Sequence, residues 1–206
     1  MAPRPSLVYL AVGIVSWPVL RLAFRYRATG LERLPRDGGY VLAANHVSNL
    51  DPWALGMAVF PRRFLRFMAK AELFWFPLGP FIASAGAFKV HRGQSDAEAI
   101  RVAEQLARDG HVIAMFPEGT RRRKGLRKKW QPERHTGAAR IALGADVPLV
   151  PAAVKGTDRL ARLGPLRVAY GDAVRTDDLA DLDPGEAARV ATDRLMESIE
   201  LLEAKL

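Results

Sequence analysis

His46 and Asp51 stand five positions apart in the segment NHVSNLDPW (45–53), and they are the residue types needed to move a proton. A histidine titrates near neutrality. A neutral imidazole held by a carboxylate can therefore take the proton from a hydroxyl as that oxygen attacks a carbonyl carbon. In a regular helix a spacing of five turns two side chains apart, because one face repeats at three or four, so the pair needs a bend between its members. The apolar run Tyr40–Ala44 reads as a buried strand, and Asp51-Pro52 as the N-cap and first residue of a helix over 52–59. His46 then falls on the strand-to-helix loop. Capping alone also explains an Asp before a Pro, so the pair by itself leaves both readings open. Ser48 lies close enough to raise a serine nucleophile, but the G-x-S-x-G context is absent.

A second segment, FPEGTR (116–121), follows a short apolar run from His111 that reads as a buried strand. Gly119 permits backbone N–H groups to approach an anion, Thr120 adds a hydroxyl donor, and Arg121 offers a planar fork matched to phosphate oxygens. Glu118, an acid beside many bases, is placed to orient one of them. A polar turn after a strand is the plainer alternative. The third segment, GAFKVHR (86–92), alternates Phe88 and Val90 with Lys89 and His91 before Arg92. Alone it reads as an edge strand guarded by charge. A general base together with a phosphate site suggests transfer to a phosphorylated acceptor.

These three segments and VPLVPAAV (147–154) fall in an order and spacing that resembles the glycerolipid acyltransferase family, in particular its bacterial 1-acylglycerol-3-phosphate acyltransferases. The resemblance covers about residues 30–154, and the four blocks together are far more specific than any one. It implies that His46 and Asp51 match the family's H-x-x-x-x-D catalytic dyad. It also implies that Arg92, Glu118, Gly119, Thr120 and Arg121 line the site of the acceptor phosphate. Asn45 and Lys89 would support these residues, and Pro148 and Pro151 would make acyl-chain or structural contacts. The implied reaction passes a fatty acyl group from a coenzyme A or acyl-carrier-protein thioester to the free hydroxyl of a lysophospholipid, with no cofactor or metal. Backbone N–H groups near the dyad would stabilise the oxyanion. One stretch departs from the pattern: a Lys or Arg commonly precedes the Gly that opens the next helix, whereas His135 and Thr136 precede Gly137 here. With the seven bases of RRRKGLRKK (121–129), this leaves glycerol-3-phosphate, an amino-acid lysolipid or a glycolipid as alternative acceptors.

The elements that must position these residues are legible in outline. Strands are expected near 40–44, 64–69, 86–91, 111–116, 148–154 and 166–170. Helices are expected near 52–59, from a Ser95–Glu98 capping box to Arg108 with Gly110 as the stop, near 137–143 ended by Gly144, and from Pro184 onward. The last carries an apolar stripe of Ala187, Ala191, Leu195, Ile199 and Leu202. Such alternation predicts an α/β fold with helices flanking a mixed sheet and the motif residues gathered at strand ends.

At 206 residues and 49% hydrophobic content the chain supports one domain with a sizeable core and excludes a disordered protein. The absence of cysteine excludes disulfides, thiol nucleophiles and thiolate metal sites. The net charge of +9 is uneven, since ten acids against four bases from Asp172 onward leave +15 on the motif-bearing part. Such a field attracts anionic lipid, phosphorylated substrates or nucleic acid. The apolar run over 7–20, flanked by Arg4 and by Arg21, Arg25 and Arg27, is shorter than the ~20 residues of a spanning helix. It divides the chain into a membrane-associating segment over 1–28 and a catalytic domain over 29–206, with the segment lying in the cytoplasmic leaflet; a helix packed on the domain is the alternative. The aromatic-rich stretch AELFWFPLGPFIASAG (71–86) suits a membrane interface, an acyl-chain wall or a core. A basic binder of nucleic acid would explain 121–129 but neither the apolar run nor the His46–Asp51 pair, so no nucleic-acid partner is expected.

Overall fold

Strand β2, Tyr40–Ala44, is the centre around which the molecule is built, and every residue of it is buried. An apolar run without polar alternation must be covered on both faces. Val41 and Ala43 point to one side, and Tyr40, Leu42 and Ala44 to the other, as the two-residue strand period requires. The computed structural model describes residues 5–90, 96–119 and 135–206. Within these residues the sheet has seven strands. The others are β1 Arg27–Thr29, β3 Leu65–Lys70, β4 Ala87–Val90, β5 Val112–Met115, β6 Leu149–Lys155 and β7 Arg167–Tyr170, and the order is β1-β7-β6-β2-β5-β3-β4. Pairing is parallel from β6 through β2, β5 and β3 to β4; β7 runs against β6, and β1 is parallel to β7. The result is the expected α/β fold, a mixed sheet flanked by helices.

Helices α4 Asp96–Arg108, α5 Gly137–Ala145 and α6 Pro184–Ala204 cover one face. The predicted stripe of α6 is buried along its length, from Ala187 to Leu202. Asp183 accepts from Gly185 N to cap its start, and Pro184 takes the first position, where a missing N–H is harmless. Ser95, half of the expected capping box on α4, lies outside the described residues. Gly144 does not end α5. The helix continues to Ala145, and Asp146 takes the left-handed turn at φ 53°. Gly144 serves packing instead: a Cβ there would stand 2.5 Å from the Glu104 carboxylate, and its carbonyl accepts from the Arg108 guanidinium.

Helices α1 Leu7–Leu22 and α2 Asp51–Val59 cover the other face. Tyr26 Oη donates to Ala54 O at 2.8 Å and Tyr170 Oη to Leu55 O at 2.7 Å, pinning α2 to the sheet. Burial pushes both phenols above their ordinary value, so they stay protonated donors. Helix α1 turns Tyr9, Gly13, Ser16 and Leu20 inward; a Cβ on Gly13 would stand 2.2 Å from the Phe60 ring, and Ser16 Oγ accepts from Trp53 Nε1 at 3.1 Å. Its opposite side leaves Leu7, Ile14, Val15 and Leu22 exposed. The segment is therefore packed on the domain and apolar on its outer side at once. Among the strands and α-helices two went unforeseen: β1, a three-residue strand among basic residues, and α3, Leu78–Ser84, within the aromatic stretch. Two prolines close together had masked the α3 helix.

Candidate active site

The parallel register that sets Ala43 against Met115 brings the C-terminal ends of β2 and β5 side by side. Chain leaving β2 enters the loop that carries His46, and chain leaving β5 enters Phe116-Pro117-Glu118-Gly119. The two meet where the His46 ring stacks on Phe116, with centroids 4.2 Å apart and planes 22° from parallel.

The bend that the pair required is a turn. Asp51 N donates to Ser48 O at 3.2 Å, and Leu50 N to Ser48 Oγ at 3.2 Å. Ser48 thus shapes the loop, with its hydroxyl oxygen accepting within that turn. Asp51 does not occupy the N-cap. Leu50 does, and Asp51 is the first helical residue, with its carboxylate turned back over the loop. Its Oδ2 accepts from Val47 N at 2.8 Å, Ser48 N at 2.9 Å and His46 Nδ1 at 2.8 Å. Loop amides won over helix amides because the loop wraps the carboxylate, and charge-assisted bonds of this kind contribute roughly 1.5–3 kcal/mol each. A carboxylate oxygen accepts and does not donate, so Nδ1 carries the proton and Nε2 presents its lone pair. Asp51 is fully buried, while the His46 side chain is 17% exposed. The carboxylate is thus dry and the imidazole reachable, an arrangement that a general base requires. Val47 and Ser48 N–H are consumed by Asp51, so the oxyanion donors expected near the dyad are not these two.

Two further residues hold the loop. Asn45, buried, donates from Nδ2 to Val154 O at 3.0 Å and to Glu203 Oε1 at 2.8 Å, and its Oδ1 accepts from Val154 N at 2.8 Å. Its amide continues the β2–β6 ladder one residue past the strand end. Thr157, the residue after Gly156 at the end of β6, donates to Asp51 Oδ1. Neither Thr157 nor Phe116 had been singled out from sequence. The available signals were a Gly-Thr pair closing the 147–154 block and an aromatic opening the Pro-Glu-Gly turn.

Of the residues expected at the phosphate, Glu118 is buried. Gly119 sits at φ 65°, where glycine is favoured, and a Cβ there would stand 2.5 Å from the His135 ring. His135 N also donates to Pro117 O at 2.9 Å, so His135, the departure noted above, packs directly on this turn. Arg92, Thr120, Arg121, His91 and the basic run 121–129 lie outside the described residues. Lys89 is exposed on β4, the edge strand, with β5 and β3 between it and β2. Pro148 is exposed before the N-terminal end of β6, at the end of the strands opposite His46, and its carbonyl accepts from Val41 N at 2.9 Å. Pro151 is buried in β6 beside Ala43, next to a groove of about 300 Å³ that Arg33, Gly171, Arg175 and Leu202 also line. A smaller groove of about 200 Å³ lies behind the dyad loop, between Val47, Lys155, Arg159 and Leu206. Among the described residues no group of His, Asp and Glu is arranged to hold a metal ion.

The family model described as Acyltransferase matches residues 25–155, which span the dyad, the Pro-Glu-Gly turn and β6. The chain belongs to the Acyltransferase family. Among relatives of this acyltransferase, a 1-acyl-sn-glycerol-3-phosphate acyltransferase of Bacillus subtilis is 31% identical over 91% of this chain and 93% of its own length. The human 1-acyl-sn-glycerol-3-phosphate acyltransferase beta is 29% identical over 68% of this chain and 51% of its own. The crystal structure of the 1-acyl-sn-glycerophosphate acyltransferase of Thermotoga maritima shares the fold at a TM-score of 0.67, with 23% identity, covering 94% of this chain and 78% of that one.

Proposed function

We propose that this acyltransferase transfers a fatty acyl group from an acyl thioester to the free hydroxyl of 1-acylglycerol-3-phosphate, giving phosphatidic acid for phospholipid synthesis. The observation that carries the chemistry is the His46 Nδ1–Asp51 Oδ2 bond, which turns a reachable Nε2 lone pair outward. His46 Nε2 takes the proton of the acceptor hydroxyl as that oxygen bonds to the thioester carbonyl carbon. The tetrahedral intermediate then expels the thiol sulfur, which leaves with the proton from His46. Asp51 holds the ring in the Nδ1–H tautomer throughout and stabilises the imidazolium. The relatives' named substrate supports the choice of acceptor. Arg121, with Arg92, is assigned the acceptor phosphate and Thr120 a supporting donor; fixing the hydroxyl near Nε2 can lower the barrier by several kcal/mol. The donor is a coenzyme A or acyl-carrier-protein thioester.

Both substrates carry acyl chains, and the outer surface suits a membrane. Leu22 is 82% exposed on α1 and Phe76 85% exposed before α3, with Leu7, Ile14, Val15, Trp75 and Phe81 also exposed nearby in these elements. Ser6 Oγ donates to Ser84 O at 2.6 Å, joining the start of α1 to the end of α3. No helix among the described residues is long and apolar enough to cross a membrane. An apolar surface beside Arg21, Arg25 and Arg27 supports peripheral binding to anionic lipid on the cytoplasmic face.

The test is transfer from labelled acyl thioesters to lysophosphatidic acid in liposomes. Wild type is expected to make phosphatidic acid, His46→Ala to abolish it, and Arg121→Ala chiefly to raise the acceptor concentration needed. His46-dependent transfer to a different acceptor alone would replace the substrate, and no transfer to any acceptor would sink the reading.

A further inference from the structure

We propose that Thr157 is a positioning residue of the transfer, acting through Asp51 on His46; this rests on the acyltransferase reading above. Asp51 is fully buried, so neither of its oxygens can be satisfied by bulk water. Oδ2 already accepts from His46 Nδ1 and from the Val47 and Ser48 amides. Oδ1 accepts from Thr157 Oγ1. The torsion that orients a carboxylate plane is soft, with broad wells. Three donors on one oxygen fix its position but leave the plane free to turn about it. A donor on the other oxygen, from the end of the neighbouring strand β6, stops that rotation and keeps Oδ2 aimed at Nδ1.

Thr157 is itself held with little freedom. It follows Gly156 at φ 97°, where a Cβ would stand 2.4 Å from Pro165 O, and Arg159 N donates to Gly156 O at 3.1 Å to close the turn. The Thr157 side chain is buried, although a threonine at the start of a surface turn is ordinarily exposed. The same strand end grips the residue on the other side of His46, since Val154 pairs with the Asn45 side chain through both N–H and C=O. Residues 154–157 therefore clamp the dyad loop at Asn45 and at Asp51, leaving the imidazole between two fixed points. A residue that only filled space would need no hydroxyl directed at the buried carboxylate.

Thr157→Val removes the hydroxyl at constant shape, and Thr157→Ser retains it. Protein labelled with nitrogen-15 at its four histidines, with the His46→Ala spectrum for assignment, reports the His46 Nδ1–H proton directly by NMR without any substrate. Wild type and Thr157→Ser are expected to show a protected, downfield Nδ1–H signal, and Thr157→Val to lose or broaden it. In transfer assays Thr157→Val should lower kcat roughly 10- to 100-fold with both KM values within about threefold, and Thr157→Ser should recover most of it. Should the valine variant fail to fold, Thr157→Cys, of similar volume and a much weaker donor, takes its place. An unchanged Nδ1–H signal and unchanged kcat in the folded variant would overturn the proposal, as would a serine variant no better than valine. An inactive wild type would instead overturn the functional reading, while the NMR comparison still decides whether Thr157 orients the pair.

Discussion

The two ends of the sheet each carry a histidine, and they use it in opposite ways. At the C-terminal end of β2, His46 donates its Nδ1–H to a buried carboxylate and faces outward. At the N-terminal end of β5, His111 has a buried Nδ1 with no hydrogen-bond partner among the described residues, and the Phe64 ring lies edge-on 5.9 Å away. Burial lowers the proton affinity of His111, and the neighbouring Arg66 guanidinium lowers it further; Asp109 opposes them and Arg63 adds a lesser lowering. Tyr40 stands in the same region with Arg63 5.5 Å from its ring centre; burial raises its phenol to about 12, and Arg63 opposes part of that rise. Among the described residues Arg63 forms no ion pair; it donates to the carbonyls of Arg36 at 3.0 Å, Gly110 at 3.3 Å and Gly38. One end of the sheet thus turns an imidazole outward beside a buried carboxylate, and the other uses its charges to tie three loops together. Position at a strand's C-terminal end and a carboxylate partner, rather than the imidazole itself, make a catalytic candidate.

The sharpest way to break this contrast is to remove each histidine in turn. His46→Ala and Asp51→Asn should each lower kcat by about a thousandfold or more without a matching loss of melting temperature, whereas His111→Gln should leave kcat within about threefold. Equal losses would mean that the two ends do not differ as described. Next in size is Arg63→Met, which strips three carbonyls of their donor and should cost about 2–4 kcal/mol in urea unfolding, while the folded fraction keeps its kcat. Smaller again is a pH effect. The folded His111 binds its proton less well than the unfolded reference of 6.5, so its contribution is intact above that value and is lost as pH falls below 6.5 through the lowered folded value. Unfolding midpoints measured from pH 7.5 down to 5 should therefore fall less steeply in His111→Gln than in wild type. The smallest effect belongs to the surface pair in which Arg194 donates to both Asp178 oxygens at 2.8 and 2.7 Å, holding that carboxyl at about 2. Its support is present above 3.8 and disappears as pH falls through about 2, and Asp178→Asn should change the midpoint at pH 7 only slightly because both groups face water.

What was readable in the sequence follows from how local each feature is. The all-apolar run at β2, the α6 stripe and the Pro-Glu-Gly turn after β5 are set by neighbours within a few positions, and each appears where expected. His46 and Asp51 were visible as a pair because both lie in one nine-residue segment. The use of the Asp51 side chain stayed open between holding the ring and capping the helix, since an Asp-Pro step looks the same whether the carboxylate turns to the helix or to the loop. Gly144 was misassigned for a similar reason: a glycine near a helix end reads as a stop, and the carboxylate of Glu104 that explains it comes from another helix. Thr157 and the second role of Asn45 depend on partners 106, 109 and 158 positions away, which leave no periodicity or spacing to detect.

Those same separations govern when the site comes into being. Contacts spanning more than a hundred residues require long loops to be closed, and chains dominated by them fold more slowly than chains held by local contacts. The brace from Val154 and Thr157 exists only once β6 has docked beside β2, and the Asn45–Glu203 bond only once the last turns of α6 have settled. A nascent or partly folded chain therefore carries His46 and Asp51 at the right spacing but without the clamp that aims them. The geometry of the candidate site is thus completed only with the sheet, and molecules that have not finished folding lack it.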